Sequence, residues 1–288
     1  MAQNLKKVAV AGAVQHTPAA PTQHRVAVAG ATGRMGHMLI EAIRGSSDCL
    51  LTGALDLASS PAIGNDAAAF LGHASGVPVT ADVRAGLERS QVLIDFTRPE
   101  GTMAHLAACR AAGVNAVIGT TGFSDDQKAR ITEIARDIAI MMAPNMSVGV
   151  NVTMKLIEMA AKALSTGYDI EIIEAHHRHK VDAPSGTALK LGEVVASVFK
   201  QELSSASVHG RRGETGVRPG KQIGFHAIRG GDIVGEHTVI FAGTGERVEV
   251  TVRSQSRMTY ALGALRAAKW LHGRPPGLYD MSDVLGLR

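Results

Sequence analysis

The sequence predicts an α/β protein in which a doubly wound parallel sheet is joined to a second α+β domain. Two observations predict the first part: a glycine-rich turn joins a strand at residues 26–29 to a helix at 38–43, and apolar strands then alternate with helices up to residue 142. Apolar strands separated by helices are typical of a parallel sheet with both faces covered. Beyond Ser147, strands and Gly-rich turns dominate, which predicts a mostly open mixed or antiparallel sheet.

The composition is that of a globular chain with a core large enough for one large domain or two ordinary ones. Of its 288 residues, 45% are hydrophobic and 19% are charged. The net charge of +4 is not gathered into long Lys/Arg runs, so nucleic acid is not an expected partner. No uninterrupted apolar run reaches the length of a membrane span, so no membrane partner is expected.

The two cysteines, Cys49 and Cys109, are far apart in the sequence and have neither a CxxC nor a metal-ligand spacing. Nothing in their placement requires a disulfide, which is typical of proteins of the reducing cytoplasm. Residues 1–24 do not have the organisation of a signal peptide. We therefore expect a cytoplasmic protein whose residues 1–24 form a loosely attached or disordered extension.

The strand, turn and helix at residues 26–43 follow the order that a Rossmann-type dinucleotide-binding fold needs. The glycines allow a tight turn and let a pyrophosphate approach the helix N-terminus. Their spacing is GxxGxxG rather than GxGxxG, so an ordinary strand–turn–helix is the alternative. The residues expected at the cofactor here are those of the turn: Gly30, Ala31, Thr32, Gly33, Arg34 and Met35.

Asp56 follows a second strand at residues 50–55 and lies 20 residues beyond Gly36. A carboxylate at that place can accept hydrogen bonds from the ribose hydroxyls of the adenosine. The same charge repels a 2′-phosphate, and the next residue, Leu57, offers no cation to hold one. The pair favours NADH as cofactor, although Arg34 and Arg98 supply positive charge and leave NADPH open.

Three further strands, at residues 92–96, 116–119 and 138–142, end in turns that belong to the same predicted edge. A helix at about residues 99–112 and a helix at 124–136, which begins at the capping pair Ser124 and Gln127, separate them. Ligands of parallel sheets bind beyond the carboxyl ends of the strands. We therefore add these residues to the predicted cofactor site: Phe96, Arg98, Gly119, Thr120, Thr121, Ala143, Pro144, Asn145 and Met146.

Residues 174–187 contain the highest concentration of side chains that can exchange protons or bind anions. They follow a predicted strand at 169–173 and lead into a predicted helix. Three histidines, an arginine and a lysine are packed into the five residues 176–180. Histidine exchanges a proton near neutral pH, and lysine donates a proton or holds an anion. The amides of Ser185, Gly186 and Thr187 would face an anion at the helix start. The pattern predicts a pocket for a small acidic substrate that must be protonated.

Other interpretations of this cluster remain open. It could be a solvated basic loop, or His177 and His179 could chelate a metal as alternate residues of a strand. Because Lys180 would repel a cation and both cysteines are distant, we predict no metal. A metal-dependent hydrolase and a non-catalytic NAD(P)-sensing protein are the alternatives to an oxidoreductase.

The rest of the chain completes the second domain and returns to the first. After a helix containing Leu156 and Ala163, we expect a long loop at residues 202–220 and strands at 223–228, 238–241 and 247–253. A helix at 259–271 should pack back on the first domain, and residues 277–285 form a short tail. The expected division is residues 25–146 with 258–288 for dinucleotide binding, and 147–257 for substrate binding and oligomerisation.

Together these motifs resemble the 4-hydroxy-tetrahydrodipicolinate reductase (dihydrodipicolinate reductase) family. The resemblance covers about residues 25–287, and its most specific part is residues 174–187. Four more segments support it in the same order: 30–36, 95–100, 119–122 and 235–238. The resemblance implies hydride transfer from a nicotinamide to a cyclic, unsaturated dicarboxylate imine in lysine and diaminopimelate biosynthesis.

The resemblance also implies roles for individual residues. His176 corresponds to the proton donor/acceptor and Lys180 to a second proton donor, while His177, Gly186 and Thr187 would bind a substrate carboxylate. Arg178 would hold the same substrate with Lys180. Relatives are commonly homotetramers built through the second sheet, so a homotetramer is expected. Many relatives have Glu-Arg in place of Asp56-Leu57, which puts a preference for NADP in doubt here.

Overall fold

The structure is a computed structural model and describes residues 23–288. The predicted extension, residues 1–24, therefore lies outside the described residues except for its last two. His24 already belongs to the first strand, one residue before the predicted boundary.

The first sheet has seven parallel strands, in the order β12-β6-β5-β4-β1-β2-β3. Numbered along the chain, its strands are β1 His24–Ala29, β2 Cys49–Leu55, β3 Val79–Thr80, β4 Val92–Asp95, β5 Asn115–Ile118, β6 Ala139–Met142 and β12 Gly277–Tyr279. The order reverses between β1 and β4, which is the switch point where doubly wound sheets bind their ligands. The predicted Rossmann-type fold is confirmed.

Helices cover both faces of this sheet. They are α1 Arg34–Arg44, α2 Val83–Leu87, α3 Pro99–Ala112, α4 Asp125–Ile134, α8 Met258–Trp270 and α9 Met281–Leu285. On one face α1 and α8 bury Leu39, Ile40 and Leu265 against the sheet, and on the other α3 and α4 bury Leu106 and Ile131. The late helix α8 thus packs on the first sheet, as the pattern at residues 259–271 predicts.

Local signals explain how α4 begins and how α1 packs on the sheet. Ser124 and Gln127 form the reciprocal capping box that the sequence predicts for α4. Gly36 lies where α1 crosses β1 so closely that a Cβ would lie 2.1 Å from the carbonyl oxygen of Gly30. The third glycine of the motif therefore serves the packing of the helix on the strand.

The second sheet is mixed and has five strands, in the order β11-β10-β7-β9-β8. Its elements are α5 Val148–Ala163, β7 Asp169–His176, α6 Gly186–Val198, α7 Leu203–Ala206, β8 Ser207–His209, β9 Ile223–Arg229, β10 Gly235–Ala242 and β11 Arg247–Ser254. Helices α5 and α6 pack on one face, where Ile157, Leu191 and Phe241 are fully buried. The predicted mostly open, mixed sheet is confirmed.

The structure differs from the sequence prediction in several segments. Strand β7 extends three residues beyond the predicted end, because Ala175 pairs with Glu236 and His176 with Arg229. The segment predicted as a loop at residues 202–220 begins with α7 and β8. The predicted tail contains β12, which pairs with β6, and α9. The short elements β3 and α2 have no counterpart in the prediction.

Candidate active site

The residues predicted to bind a dinucleotide lie at one edge of the parallel sheet. Gly30 follows β1, Asp56 follows β2, Phe96 follows β4, Gly119 follows β5 and Ala143 follows β6. These strands are hydrogen-bonded neighbours in the sheet. The structure therefore brings turns that are more than 100 residues apart in the chain to a single edge.

Helix α1 begins at this edge with an exposed N-terminus. Its N-cap is Gly33, which has no side chain to accept from the first N–H groups. Gly30 has φ +67° and lies so close to Thr97 that a Cβ would be 3.1 Å from its methyl carbon, a conformation that favours glycine. An uncapped helix N-terminus behind a tight turn fits the pyrophosphate of a dinucleotide.

The carboxylate of Asp56 is directed back at the glycine-rich turn. Its Oδ2 atom accepts from the backbone N–H of Thr32 at 2.8 Å and from the Thr32 hydroxyl at 2.6 Å. Its Oδ1 atom accepts from the backbone N–H of Leu57 at 2.8 Å. The side chain of Leu57 is 74% exposed, so this edge presents one carboxylate and one apolar side chain to a ribose.

The other predicted cofactor residues differ in what they expose. Arg34 and Arg98 are exposed, whereas Met146 is 1% exposed and packs in the core. The hydroxyl of Thr120 is buried; it accepts from the Thr102 hydroxyl at 2.9 Å and donates to Oδ1 of Asp95 at 3.4 Å. These last two residues offer only their backbones to a cofactor.

A cleft of about 560 Å³ lies between the parallel sheet and the second domain. Asn145 and Thr187 link its two sides, with 3.4 Å between Nδ2 and Oγ1. The cleft contains most of the predicted substrate residues. Its lining comprises Thr121, Pro144, Asn145, Met154, His176, His177, Lys180, Ser185, Gly186, Thr187, Lys190, Glu193, Val234, Arg257 and Tyr260.

His176 ends β7 and is held by a buried carboxylate. Its Nδ1 atom lies 2.6 Å from Oε2 of Glu174, a residue only 1% exposed. The other ring nitrogen, Nε2, lies beside Gly235, where an added Cβ would approach it to 3.1 Å. An ionised carboxylate only accepts hydrogen bonds, so Nδ1 carries the proton and Nε2 is free to exchange one.

Lys180 lies in the loop after β7, and its Nζ atom is 2.8 and 2.9 Å from the two oxygens of Asp182. That bond lowers the pKa of Asp182. The neighbouring His177 has a buried Nδ1 atom without a hydrogen-bond partner among the described residues. Burial and the nearby cations, Arg257 first among them, lower the pKa of His177. It therefore favours the neutral form.

Helix α6 directs its N-terminus at the cleft. Its N-cap Ser185 accepts from the N–H of Ala188 at 3.1 Å, which leaves the amides of Gly186 and Thr187 without an acceptor in the described part of the chain. A Cβ at Gly186 would meet no protein atom within 4 Å. These free donors and the open space above them fit a carboxylate.

A buried histidine supports this helix start. The Nε2 atom of His237 lies 2.9 Å from the Ser185 hydroxyl. Burial, together with the nearby His176, lowers the pKa of His237 to about 4. The ring is therefore neutral at physiological pH and holds the capping serine by a hydrogen bond rather than by charge.

Two members of the His/Arg/Lys cluster do not line the cleft. Arg178 and His179 are exposed, and the backbone N–H of Arg178 donates to the carbonyl of Gly231 at 3.2 Å. Within residues 23–288, no group of three or more His, Cys, Asp or Glu side chains is arranged to hold a metal ion. Nor is any helix there both long enough and apolar enough to cross a membrane.

Several residues of the site were missed by sequence reasoning. Glu174 and Arg229 are 55 positions apart and meet only through the pairing of β7 with β9. Arg257 and Tyr260 come from the start of α8, where nothing in the helical pattern distinguishes them. His237 lies in the segment 235–238, which resembles the family, but the sequence alone gives it no role.

Comparison with known proteins places these features in one family. A family model described as "Dihydrodipicolinate reductase, N-terminus" matches residues 24–146, and one described as "Dihydrodipicolinate reductase, C-terminus" matches residues 149–285. Together they cover nearly all of the described chain. The chain belongs to the dihydrodipicolinate reductase family.

Individual members of the dihydrodipicolinate reductase family agree closely with the chain. It is 62% identical over 266 residues to a 4-hydroxy-tetrahydrodipicolinate reductase of Janthinobacterium sp. (strain Marseille), covering 92% of this chain and 99% of that protein. The identity and coverage are the same for the enzyme of that name from Herminiimonas arsenicoxydans. A solved dipicolinate-bound dihydrodipicolinate reductase from Paenisporosarcina sp. TG-14 superposes with a TM-score of 0.72 at 25% identity, covering 90% of this chain and 97% of that one.

Proposed function

We propose that this chain is a 4-hydroxy-tetrahydrodipicolinate reductase. It reduces a cyclic, unsaturated dicarboxylate imine to tetrahydrodipicolinate, with NAD(P)H as hydride donor, in lysine and diaminopimelate biosynthesis. The observation that carries the proposal is the cleft in which His176 and Lys180 face Thr121 and Asn145 at the ends of β5 and β6. The proton donors and the dinucleotide edge of the sheet thus border the same space.

The cleft is built for a dianion. It offers the free amides of Gly186 and Thr187, the ring of His177 and the guanidinium of Arg257. Amides at a helix N-terminus and cations both stabilise carboxylates. Two separate groups of donors, one on α6 and one around His177 and Arg257, match a substrate with two carboxylates.

The protein residues supply the proton. When bound, the nicotinamide supplies a hydride, and the reduced ring then needs one proton from the enzyme. Nε2 of His176 and Nζ of Lys180 are the donors that border the cleft. Correctly placed general acids accelerate such steps by about 10²–10⁴-fold. Arg178 does not line the cleft, and we propose that it contacts the substrate only from the outer side.

NADH is proposed as the favoured cofactor. Asp56 presents its carboxylate beside the glycine-rich turn, and Leu57 adds no positive charge. A 2′-phosphate near Asp56 would meet repulsion, and we propose that exposed Arg34 and Arg98 offset part of it. We therefore propose that NADPH is used with a higher Michaelis constant.

A homotetramer in the cytoplasm is proposed on two grounds. The face of the second sheet opposite α5 and α6 carries Thr238, Ile240 and Ile228, of which Ile228 is 51% exposed. A second copy of the chain would cover these side chains, and light scattering measures the resulting mass.

The cytoplasmic location is supported by the cysteines. Both of them, Cys49 and Cys109, are buried and unpaired, as is usual in a reducing compartment.

The test of the proposed function is the oxidation of NADH and of NADPH, followed at the nicotinamide absorbance, with the dicarboxylate imine generated in situ. Turnover with both, and a lower Michaelis constant for NADH, is the expected result. Turnover with a strong preference for NADPH would keep the enzyme and overturn the argument from Asp56. Folded protein that binds nucleotide without turnover would overturn the enzyme and favour a nucleotide-sensing protein.

A further inference from the structure

Glu174 makes more polar contacts than a residue that only fills the core. Its Oε2 atom accepts from Nδ1 of His176 at 2.6 Å and from Nη1 of Arg229 at 2.8 Å. Its Oε1 atom accepts from Nη2 of Arg229 at 2.6 Å and from the backbone N–H of Ser185 at 3.1 Å. Every neighbour is a donor, so the site is built for an ionised carboxylate.

Arg229 connects this carboxylate to the loop that carries the other proton donor. The Nη2 atom of Arg229 also donates to the backbone carbonyl of Asp182 at 2.7 Å, and the Asp182 carboxylate holds Lys180. The backbone adds a further link, because Gly230 donates to the carbonyl of His176 at 2.9 Å. One arginine thus contacts the carboxylate partner of His176 and the backbone of the residue that holds Lys180.

We infer that Glu174 and Arg229 form a positioning pair that fixes the tautomer and orientation of His176 and braces the loop of Lys180. The inference rests on the proposed function and adds two residues that do not line the cleft. Glu174 keeps the proton of neutral His176 on Nδ1 and stabilises the imidazolium, while Nε2 faces the cleft. Arg229 keeps Glu174 ionised and oriented.

The alternative is an ion pair with a purely structural role. A buried ion pair is weak evidence of stabilisation by itself, so the choice depends on geometry. His176 and Arg229 are the last residues of β7 and β9, and they pair with each other in register. Burial by itself raises the pKa of Glu174, but the bonds from Arg229 and His176 lower it overall. The carboxylate therefore stays charged beside the ring.

The decisive variant is Glu174→Gln. In the glutamine variant, an NH₂ group replaces one of the two carboxylate oxygens. The remaining oxygen is best placed at the Oε1 position, where Nη2 of Arg229 and the N–H of Ser185 both donate. The amide NH₂ then faces Nδ1 of His176 and donates to it, which moves the proton of the neutral ring to Nε2. We expect kcat to fall about ten- to a hundredfold, with the Michaelis constants for substrate and NADH changed less than about threefold.

The pH dependence separates positioning from structural support. Glu174→Gln removes the negative charge that lies 2.6 Å from the ring, so the descending limb of the kcat profile should move in this variant, whereas a purely structural role would leave it in place. The groups that face His176 from the packed elements contribute to the same limb. They are Glu174 on its own strand, Arg229 on β9, His237 on β10, and His177 and Lys180 in the following loop.

Arg229→Lys tests the pair without removing a charge. A lysine cannot bond both Glu174 oxygens and the Asp182 carbonyl, so we expect a kcat loss of about three- to tenfold with an unchanged midpoint of thermal unfolding within about 3 °C. Arg110→Lys is the matched control, because Arg110 also contacts two carboxylates, Glu133 and Asp137, but in the first domain. It should leave kcat unchanged.

A readout independent of turnover is the ¹⁵N chemical shift of the His176 ring above its titration range. Protonated Nδ1 in the wild type and protonated Nε2 in Glu174→Gln support the inference. Protonated Nε2 in the wild type, or unchanged kcat and pH profile in both variants, overturns it. If Glu174→Gln does not fold, Arg229→Lys alone decides: reduced kcat supports the pair, and wild-type kcat overturns it. A wild-type protein without any turnover refutes the proposed function instead, while the tautomer measurement still stands.

Discussion

The carboxylate of Asp56 accepts both the backbone N–H and the hydroxyl of Thr32, at 2.8 and 2.6 Å. The residue predicted to bind a ribose therefore also fixes the glycine-rich turn that is proposed to face the pyrophosphate. We expect its contribution to cofactor binding to combine a direct contact with the order of that turn. Substituting Asp56 would mix the two effects, so the neighbouring Leu57 is the better position at which to test cofactor choice.

Leu57→Arg should convert the edge of the site into one that accepts a 2′-phosphate. The side chain is exposed, so the substitution costs little stability. A charge-assisted hydrogen bond contributes about 1.5–3 kcal/mol, and we expect the Michaelis constant for NADPH to fall about tenfold while that for NADH changes little. Steady-state kinetics with both cofactors measure this. Leu57→Gln, long but neutral, is the control, and an equal improvement there would contradict the charge argument.

His176→Gln and Lys180→Ala should each reduce turnover by about 10²–10⁴-fold, because each removes a general acid at the cleft. Binding of NADH, measured by fluorescence, should stay close to that of the wild type. His179→Gln is the matched control for the first substitution, because the exposed His179 belongs to the same cluster but lies outside the cleft. Near-wild-type turnover in both test variants would end the assignment of roles.

The sequence predicts what local patterns encode. The alternation of apolar strands and helices, the glycine-rich turn and the Ser124 cap all depend on neighbours within a few residues, and they predict the parallel sheet and its ligand edge. Strand β12 is only three residues long and forms by pairing with β6 at the edge of the sheet. A local sequence pattern does not predict a strand that depends on such a distant partner. The contact between Glu174 and Arg229 likewise depends on the register of two strands. The chemistry of the cluster predicted a proton-donating pocket at residues 176–180, and the family resemblance singled out His176 and Lys180. Only the tertiary structure shows that these two line the cleft while Arg178 and His179 do not.

Gly186→Ala should separate ligand binding from folding. A Cβ at Gly186 meets no protein atom within 4 Å, so the midpoint of thermal unfolding should not fall. The added methyl group lies at the helix start that faces the cleft, and we expect the Michaelis constant for the substrate to rise about tenfold as it displaces a carboxylate from the amides.

Gly192→Ala in the same helix should give the opposite result. There a Cβ would lie 2.5 Å from the ring of Phe225 in the core, and overpacking of this kind costs about 1–3 kcal/mol. Thermal unfolding should shift downward while the Michaelis constant stays unchanged. A rise in the Michaelis constant for Gly192→Ala alone would contradict the assignment of Gly186 to the substrate site.

Asp66 should give the stability of the first domain a defined dependence on pH. Its carboxylate accepts from the backbone N–H groups of Ser75, Ala68 and Gly76, and these bonds, led by Ser75, lower its pKa from 3.8 to about 2. The folded state thus prefers the ionised form more than the unfolded state does. The resulting stabilisation is complete above about pH 4–5 and is lost as the pH falls toward 2.

Asp66→Asn should therefore lower the free energy of unfolding by about 1–2 kcal/mol at pH 7, because an amide NH₂ would face backbone donors. The difference from the wild type should shrink as the pH falls from about 4 to 2, since protonation removes the same charge from Asp66 in the wild type. Urea unfolding across this range measures the effect. Asp125→Asn, on the exposed surface of α4, should show a much smaller difference at pH 7, and a difference for Asp66→Asn that does not change with pH would show that its charge is not the cause.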